Sequence, residues 1–100
     1  MIVRPVLTAE ECGAVLRVVS EPARLRLLAA LRDGPRAVGE LELALGLRQY
    51  QASRHLAALL AIGLVEREPQ GRRVLYRLAA DLRLDDACAL ELGCCRLTVR

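Results

Sequence analysis

The sequence predicts a mainly helical domain with one small β-hairpin, in the order helix, helix, helix, helix, strand, strand, helix. Three observations predict it. Apolar residues recur at helical spacing in four stretches between residues 8 and 63. The last two of these stretches, 38–45 and 48–62, are separated by little more than Gly46-Leu47, and a tight glycine-containing turn between two helices marks a helix-turn-helix. Two short runs suited to strands then flank Pro69-Gln70-Gly71, which is turn chemistry.

Each element has its own local signal. Thr8-Ala-Glu-Glu11 has the form of a capping box, with Thr8 as N-cap and Glu11 at the third helical position. The helix it opens runs to about residue 19, with Cys12, Val15, Leu16 and Val19 on one stripe. Ser20-Glu-Pro22 starts a second helix, since proline is tolerated in the first turn. Leu25, Leu28 and Leu31 line its buried side, and Gly34-Pro35 stops it. The third helix spans 38–45 and ends at Gly46. In the fourth, Ala52, Leu56, Leu59, Leu60 and Gly63 face the core, which leaves Tyr50, Gln51, Ser53, Arg54 and His55 outside. Strands follow at 64–68 and 73–78, the second with Val74 and Tyr76 on one face. A last helix is expected over 80–92, broken by Gly93. There is no internal repeat or linker, so residues 1–100 make a single domain.

Composition narrows the function. Hydrophobic residues are 54% of the chain, and Phe and Trp are absent, so the core is built from Leu, Ala, Val and Ile. Chains this short are often stabilised by dimerisation, and the surplus of Leu and Val points to an apolar face that meets a second copy. All 15 basic residues are Arg, and the net charge is +3. The charge is unevenly placed. Residues 48–77 carry six Arg against Glu66 and Glu68, whereas 79–95 carry Asp81, Asp85, Asp86 and Glu91 against Arg83. The first of these segments suits a polyanion and the second does not. An enzyme is not expected: there is no nucleophile-base-acid set, no phosphate-binding glycine loop, no hydrolytic metal triad and no Cys-x-x-Cys. The opening Met1-Ile-Val-Arg-Pro lacks the pattern of a signal peptide, and no stretch approaches the roughly 20 apolar residues that span a bilayer. A cytoplasmic protein without a membrane partner is therefore expected. Four Cys in a reducing compartment then mean metal binding, redox sensing or burial rather than a disulfide scaffold.

The second helix of a helix-turn-helix lies in the major groove with its N-terminal residues at base edges. Those residues are Arg48, Gln49, Tyr50, Gln51, Ser53, Arg54 and His55. Gln can pair bidentately with adenine and Arg with guanine. The hairpin adds Arg67, Arg72, Arg73 and Arg77, which can neutralise phosphates. The competing readings are a solvated polar helix beside an arginine-rich hairpin, and a winged domain used for protein contacts.

The chain resembles the arsenic-repressor (ArsR/SmtB) family of bacterial winged-helix regulators. The stretches that carry the resemblance are Ser20-Glu-Pro-Ala-Arg-Leu-Arg-Leu-Leu-Ala-Ala-Leu31, Val38-Gly-Glu-Leu41, Leu45-Gly-Leu, Ser53-Arg-His-Leu56, Gly63-Leu-Val65 and Gly71-Arg-Arg-Val-Leu-Tyr-Arg-Leu78. They cover about residues 20–78 in one register. The resemblance implies a homodimer built from the first and last helices, an imperfect inverted repeat as operator, and release of DNA when an effector binds.

The cysteines bear on the effector. Where family members often have Glu-Leu-Cys-Val-Cys in the helix before the recognition helix, this chain has Glu40-Leu-Glu-Leu-Ala44, so that thiol pair is absent. The expected last helix has no His, which disfavours an imidazole-based zinc site. Cys12, Cys88, Cys94 and Cys95 remain. Thiolates are soft donors, and an all-sulfur set points to As(III) or Sb(III), with Cd or Pb as alternatives. Cys94 and Cys95 follow Gly93, where a fraying backbone lets both sulfurs turn toward one atom. A third thiol comes from Cys88 or from Cys12. Cys88 lies seven residues before Cys95, about 10 Å along an intact helix. The rival is a thiol redox or persulfide response, for which Cys88 with Cys94 or Cys95 is the better couple, because an adjacent pair makes a poor disulfide.

Overall fold

The capping box at the start of the chain forms as expected. Thr8 Oγ1 accepts the Glu11 N–H at 3.1 Å and Glu11 Oε1 accepts the Thr8 N–H at 3.2 Å, which opens α1 (Ala9–Val19). This is a computed structural model, and it describes residues 7–80, 82, 89–91 and 96–98. α2 (Pro22–Ala30) begins with proline at its first position. A two-residue strand, β1 (Arg36–Ala37), leads directly into α3 (Val38–Leu45). α4 (Gln49–Ala61) follows, then β2 (Val65–Gln70) and β3 (Arg73–Leu78).

One apolar cluster joins these elements. Val15 and Val19 of α1 meet Leu27 and Leu28 of α2, Leu41 of α3, and Leu56 and Leu59 of α4. Leu31, Ile62, Leu64, Val65, Ala79 and Leu82 close it. On α2 the buried positions are Ala23, Leu27 and Leu28, while Leu25 is half-buried. Leu27 therefore replaces Leu25 on the expected stripe. Leu16, placed on the apolar stripe of α1 by its spacing, is 46% exposed.

The sheet has three strands in the order β1-β3-β2, all antiparallel. β1 is an addition to the expected hairpin. Arg36 pairs with Tyr76 and Ala37 with Leu75, and a run of two residues carries no alternation by which to be predicted. β2 is longer than expected, because Pro69 and Gln70 belong to the strand, and the turn is Gly71-Arg72 with Gly71 at φ +64°. Proline is tolerated there because β2 is an edge strand.

The expected last helix over 80–92 is not borne out where its residues are described. Ala80 lies in a turn, and 89–91 form β4 (Ala89–Glu91), which pairs antiparallel with β5 (Arg96–Thr98) through Leu90 and Leu97. Ala, Leu and Glu are strong helix formers, so local propensity favours a helix, and cross-strand pairing overrides it. Gly93, expected to break that helix, lies outside the described residues. The class, mainly helical with a small sheet, is unaffected. Among the described residues no helix is long and apolar enough to cross a membrane.

Candidate nucleic-acid interface

The turn between α3 and α4 depends on Gly46. It sits at φ +65°, ψ 32°, a left-handed conformation that disfavours a side chain. The Leu47 N–H donates to the Glu42 carbonyl at 3.0 Å, which closes the end of α3. α4 can therefore start within three residues of the end of α3. Its outer face presents Arg48, Gln49, Tyr50, Ser53 and Arg54, all exposed, with Tyr50 at 65%.

Two residues expected on that face are used elsewhere. Gln51 is half-buried, and its Oε1 accepts the Arg48 N–H at 3.0 Å. It caps its own helix, which engages one of the two lone pairs of the amide oxygen. His55 is a firmer correction, because it is not outside at all. It is 5% exposed, and its Nδ1 accepts a hydrogen bond from Arg24 Nε at 3.1 Å. Desolvation by burial holds the imidazole pKa below its ordinary value. The nearby Arg24 and Arg54 charges push the same way and Glu21 opposes them. The physical reason lies in the spacing. Ala52, His55, Leu56 and Leu59 fall at i, i+3, i+4 and i+7, which is the buried stripe itself.

The β2–β3 hairpin, the wing, divides in a similar way. Arg67 and Arg72 are exposed and make no ion pair among the described residues. Arg73 Nη2 instead lies 2.7 Å from Glu40 Oε1. The same Glu40 oxygen accepts the Ala37 N–H at 3.1 Å, so one carboxylate caps α3 and anchors β3 beside it. Arg77 Nη2 is 3.0 Å from Glu66 Oε1, its directly paired residue across the ladder, and Arg77 Nη1 is 3.7 Å from Glu68 Oε2, the diagonal neighbour. Both acidic residues of the basic segment are thus engaged by Arg77.

Three participants escape a motif reading: Arg24, Glu40 and Glu66. Glu40 has a signal, since it stands three residues after Ala37, where a capping carboxylate belongs. Arg24 has a weaker one, as a cation in the first turn of a helix runs against the macrodipole and so asks for a reason.

Of the expected thiol ligands, Cys12 is half-buried on α1. Cys88, Cys94 and Cys95 lie outside the described residues. Among the described residues no group of three or more His, Cys, Asp or Glu could hold a metal ion. The described residues therefore do not themselves assemble a site for a thiophilic ion.

Comparison with known proteins agrees with this geometry. A family model described as a helix-turn-helix domain matches residues 19–68. The HTH-type transcriptional repressor SmtB of Mycobacterium tuberculosis is 43% identical over 70 residues, covering 70% of this chain and 52% of that protein. The biofilm growth-associated repressor of Agrobacterium fabrum is 38% identical over 73 residues, covering 73% and 62% respectively. The chain thus spans only 52 to 62% of the length of these curated relatives. Among solved structures, reduced HlyU from Vibrio cholerae superposes with a TM-score of 0.68 at 33% identity, over 72% of this chain and 76% of that one. The homodimeric winged helix-turn-helix DNA-binding domain of Mb0332 from Mycobacterium bovis does so at 0.68 and 35%, over 71% and 66%.

Proposed function

The chain belongs to the ArsR/SmtB family of winged helix-turn-helix transcriptional regulators, and on that premise we propose that it binds double-stranded operator DNA as a homodimer and represses transcription. Family membership also makes it a regulator rather than an enzyme. The observation that carries the DNA reading is the exposed outer face of α4, where Arg48, Gln49, Tyr50, Ser53 and Arg54 stand clear of the core. We assign Gln49, Arg48 and Arg54 to base edges, with Tyr50 and Ser53 beside them. Arg67 and Arg72 neutralise phosphates, and Arg73 and Arg77 join them by exchanging a surface carboxylate for a phosphate. Gln51 caps the helix at its start, and His55 supports it from behind. The dimer reading is supported by Leu16, 46% exposed on α1, and by a solved relative described as homodimeric. Two recognition helices about 34 Å apart match successive major grooves.

For the effector we infer As(III) or Sb(III) held by Cys94 and Cys95 with a third thiol from Cys88 or Cys12. The support is donor chemistry. The chain has four Cys and one His, and that His is buried and bonded to Arg24, which leaves sulfur as the soft donor. A thiol redox or persulfide response is the second reading, favoured by a solved relative described as the reduced form of HlyU. Cd and Pb are further ions of the same soft class.

The test is fluorescence anisotropy of a duplex selected from a random-sequence pool. The reduced protein should bind at low ionic strength, and arsenite should release the duplex. Cys94→Ser/Cys95→Ser should abolish the arsenite response and leave binding intact. Release by peroxide or a persulfide donor, with none by arsenite, would move the assignment to redox. A reduced protein that selects no duplex would return the fold to a protein-interaction role.

A further inference from the structure

The inward-facing His55 has no part in reading bases, yet it lies within the recognition helix, and its partner comes from a different helix. Arg24 is the third residue of α2. Its Nε donates to His55 Nδ1 at 3.1 Å, and its Nη1 donates to the Val18 carbonyl at 3.3 Å. Val18 belongs to the last turn of α1, whose carbonyls have no partner within the helix and carry partial negative charge. One guanidinium thus ties the end of α1 and the middle of α4 to the start of α2. The first turn of α2 contains no acidic residue, so Arg24 sits at the positive end of a helix dipole. These two bonds are what offset that placement.

The bond to His55 works in one protonation state. A guanidinium is always a donor and never an acceptor, so Nδ1 must be bare and the ring proton must lie on Nε2. A second proton at Nδ1 would set two donors and two positive charges face to face. The charged groups around the ring are Arg24 on α2, Arg54 on α4 itself and Glu21 at the N-cap of α2; the first two disfavour the imidazolium and the third favours it, with desolvation adding to the first two.

We propose that Arg24 and His55 form a half-buried latch that fixes α4 against α1 and α2 only while the imidazole is neutral, so that operator binding weakens on acidification. Both are positioning residues, acting through the seating of the helix and not by touching DNA. The inference rests on the DNA-binding reading above. It predicts a sign opposite to the ordinary one, since a histidine gaining charge near DNA normally strengthens attachment to the polyanion.

With one histidine in the chain, the imidazole resonances report its titration in the intact protein without ambiguity. We expect the affinity of wild-type protein for its selected duplex to fall about tenfold between about pH 7.5 and about pH 5.5, the range in which histidine switches. We also expect the imidazole to titrate at lower pH with duplex bound than without it, because linkage requires the tighter-binding form to be the neutral one. His55→Asn places an amide oxygen where Nδ1 stood and cannot be protonated, so its binding should be flat with pH. Tighter binding on acidification, or a duplex that raises the imidazole titration, overturns the latch. If His55→Asn does not fold, the wild-type titration with and without duplex decides alone. Absence of duplex binding at every pH would sink the DNA reading itself, which is a distinct outcome from binding with the wrong pH dependence.

Discussion

The recognition helix and the wing both carry polar side chains that a pattern reading assigns to DNA, and in each region part of the set is engaged within the protein. The means differ. In α4, Gln51 and His55 are held by hydrogen bonds at half-buried and buried positions. In the wing, Arg73 and Arg77 are held by carboxylates on the surface, with side chains 61% and 48% exposed. A buried polar group that loses its partner costs about 1–3 kcal/mol, whereas an exposed ion pair contributes about 0–1 kcal/mol. His55, turned inward on the helix, therefore belongs to the fold, and Gln51 is tied to the start of its own helix. On the proposed DNA reading the paired arginines of the wing are on loan, and a phosphate can take them.

The largest effect should come from His55. His55→Ala removes a buried ring and strands the Arg24 Nε–H, for a loss of about 2–3 kcal/mol. In urea the midpoint should fall with the slope unchanged. Wild-type stability should also depend on pH. Because the folded imidazole titrates below its ordinary value of about 6.5, the unfolded chain binds the proton more readily. The contribution is then fully present above that value and lost as pH falls below it, and His55→Ala should lack this dependence. A midpoint that barely moves would erase the distinction between helix and wing.

Gln49 and Gln51 sharpen the comparison within one turn of α4. Gln49→Ala should relax preference at particular base positions, by about 1–3 kcal/mol of discrimination at each, measured by competition among operator variants. Gln51→Ala should cost about 1 kcal/mol of stability through the lost cap and leave base preference unaltered. If Gln51→Ala also relaxes one position, its amide reads DNA despite the bond to Arg48.

The wing arginines separate by salt dependence. Arg72→Ala should weaken binding to all sequences alike and reduce the slope of log affinity against log salt by about 0.9 per subunit. Arg77→Ala should change the slope less, because Glu66 and Glu68 already compete for that guanidinium. Equal slopes would mean that those carboxylates release Arg77 without resistance.

How much is legible in the sequence follows the same physics. The four helices, the Gly46 turn and the Arg-rich hairpin announce themselves through capping residues, 3.6-residue periodicity and turn chemistry, all of which are local. For His55 two local signals conflict. Its polarity argues for the outer face, but its spacing from Ala52, Leu56 and Leu59 puts it on the buried stripe, and position wins. β1 and the strand at 89–91 are not legible because a run of two or three residues carries no periodicity of its own. A strand of two or three residues exists through its partner, here Leu75-Tyr76 for one and Arg96–Thr98 for the other. The Arg24–His55 and Arg73–Glu40 bonds join residues 31 and 33 positions apart, which no window of sequence spans.

The smallest expected effect tests whether the wing is on loan. Glu40→Gln keeps an amide oxygen for the Ala37 N–H, since Gln serves at the third helical position as Glu does, but it removes the charge that holds Arg73. Because that pair is exposed on both sides, stability should change by no more than about 1 kcal/mol. DNA affinity should rise, as Arg73 no longer chooses between a carboxylate and a phosphate and a carboxylate near the polyanion is gone. The salt slope should steepen by up to about 0.9 per subunit. Weaker binding at unchanged stability would mean that Glu40 holds Arg73 in the geometry the phosphate requires. The surface ion pair of the wing would then be a fixed part of the architecture, like the bond between Arg24 and His55.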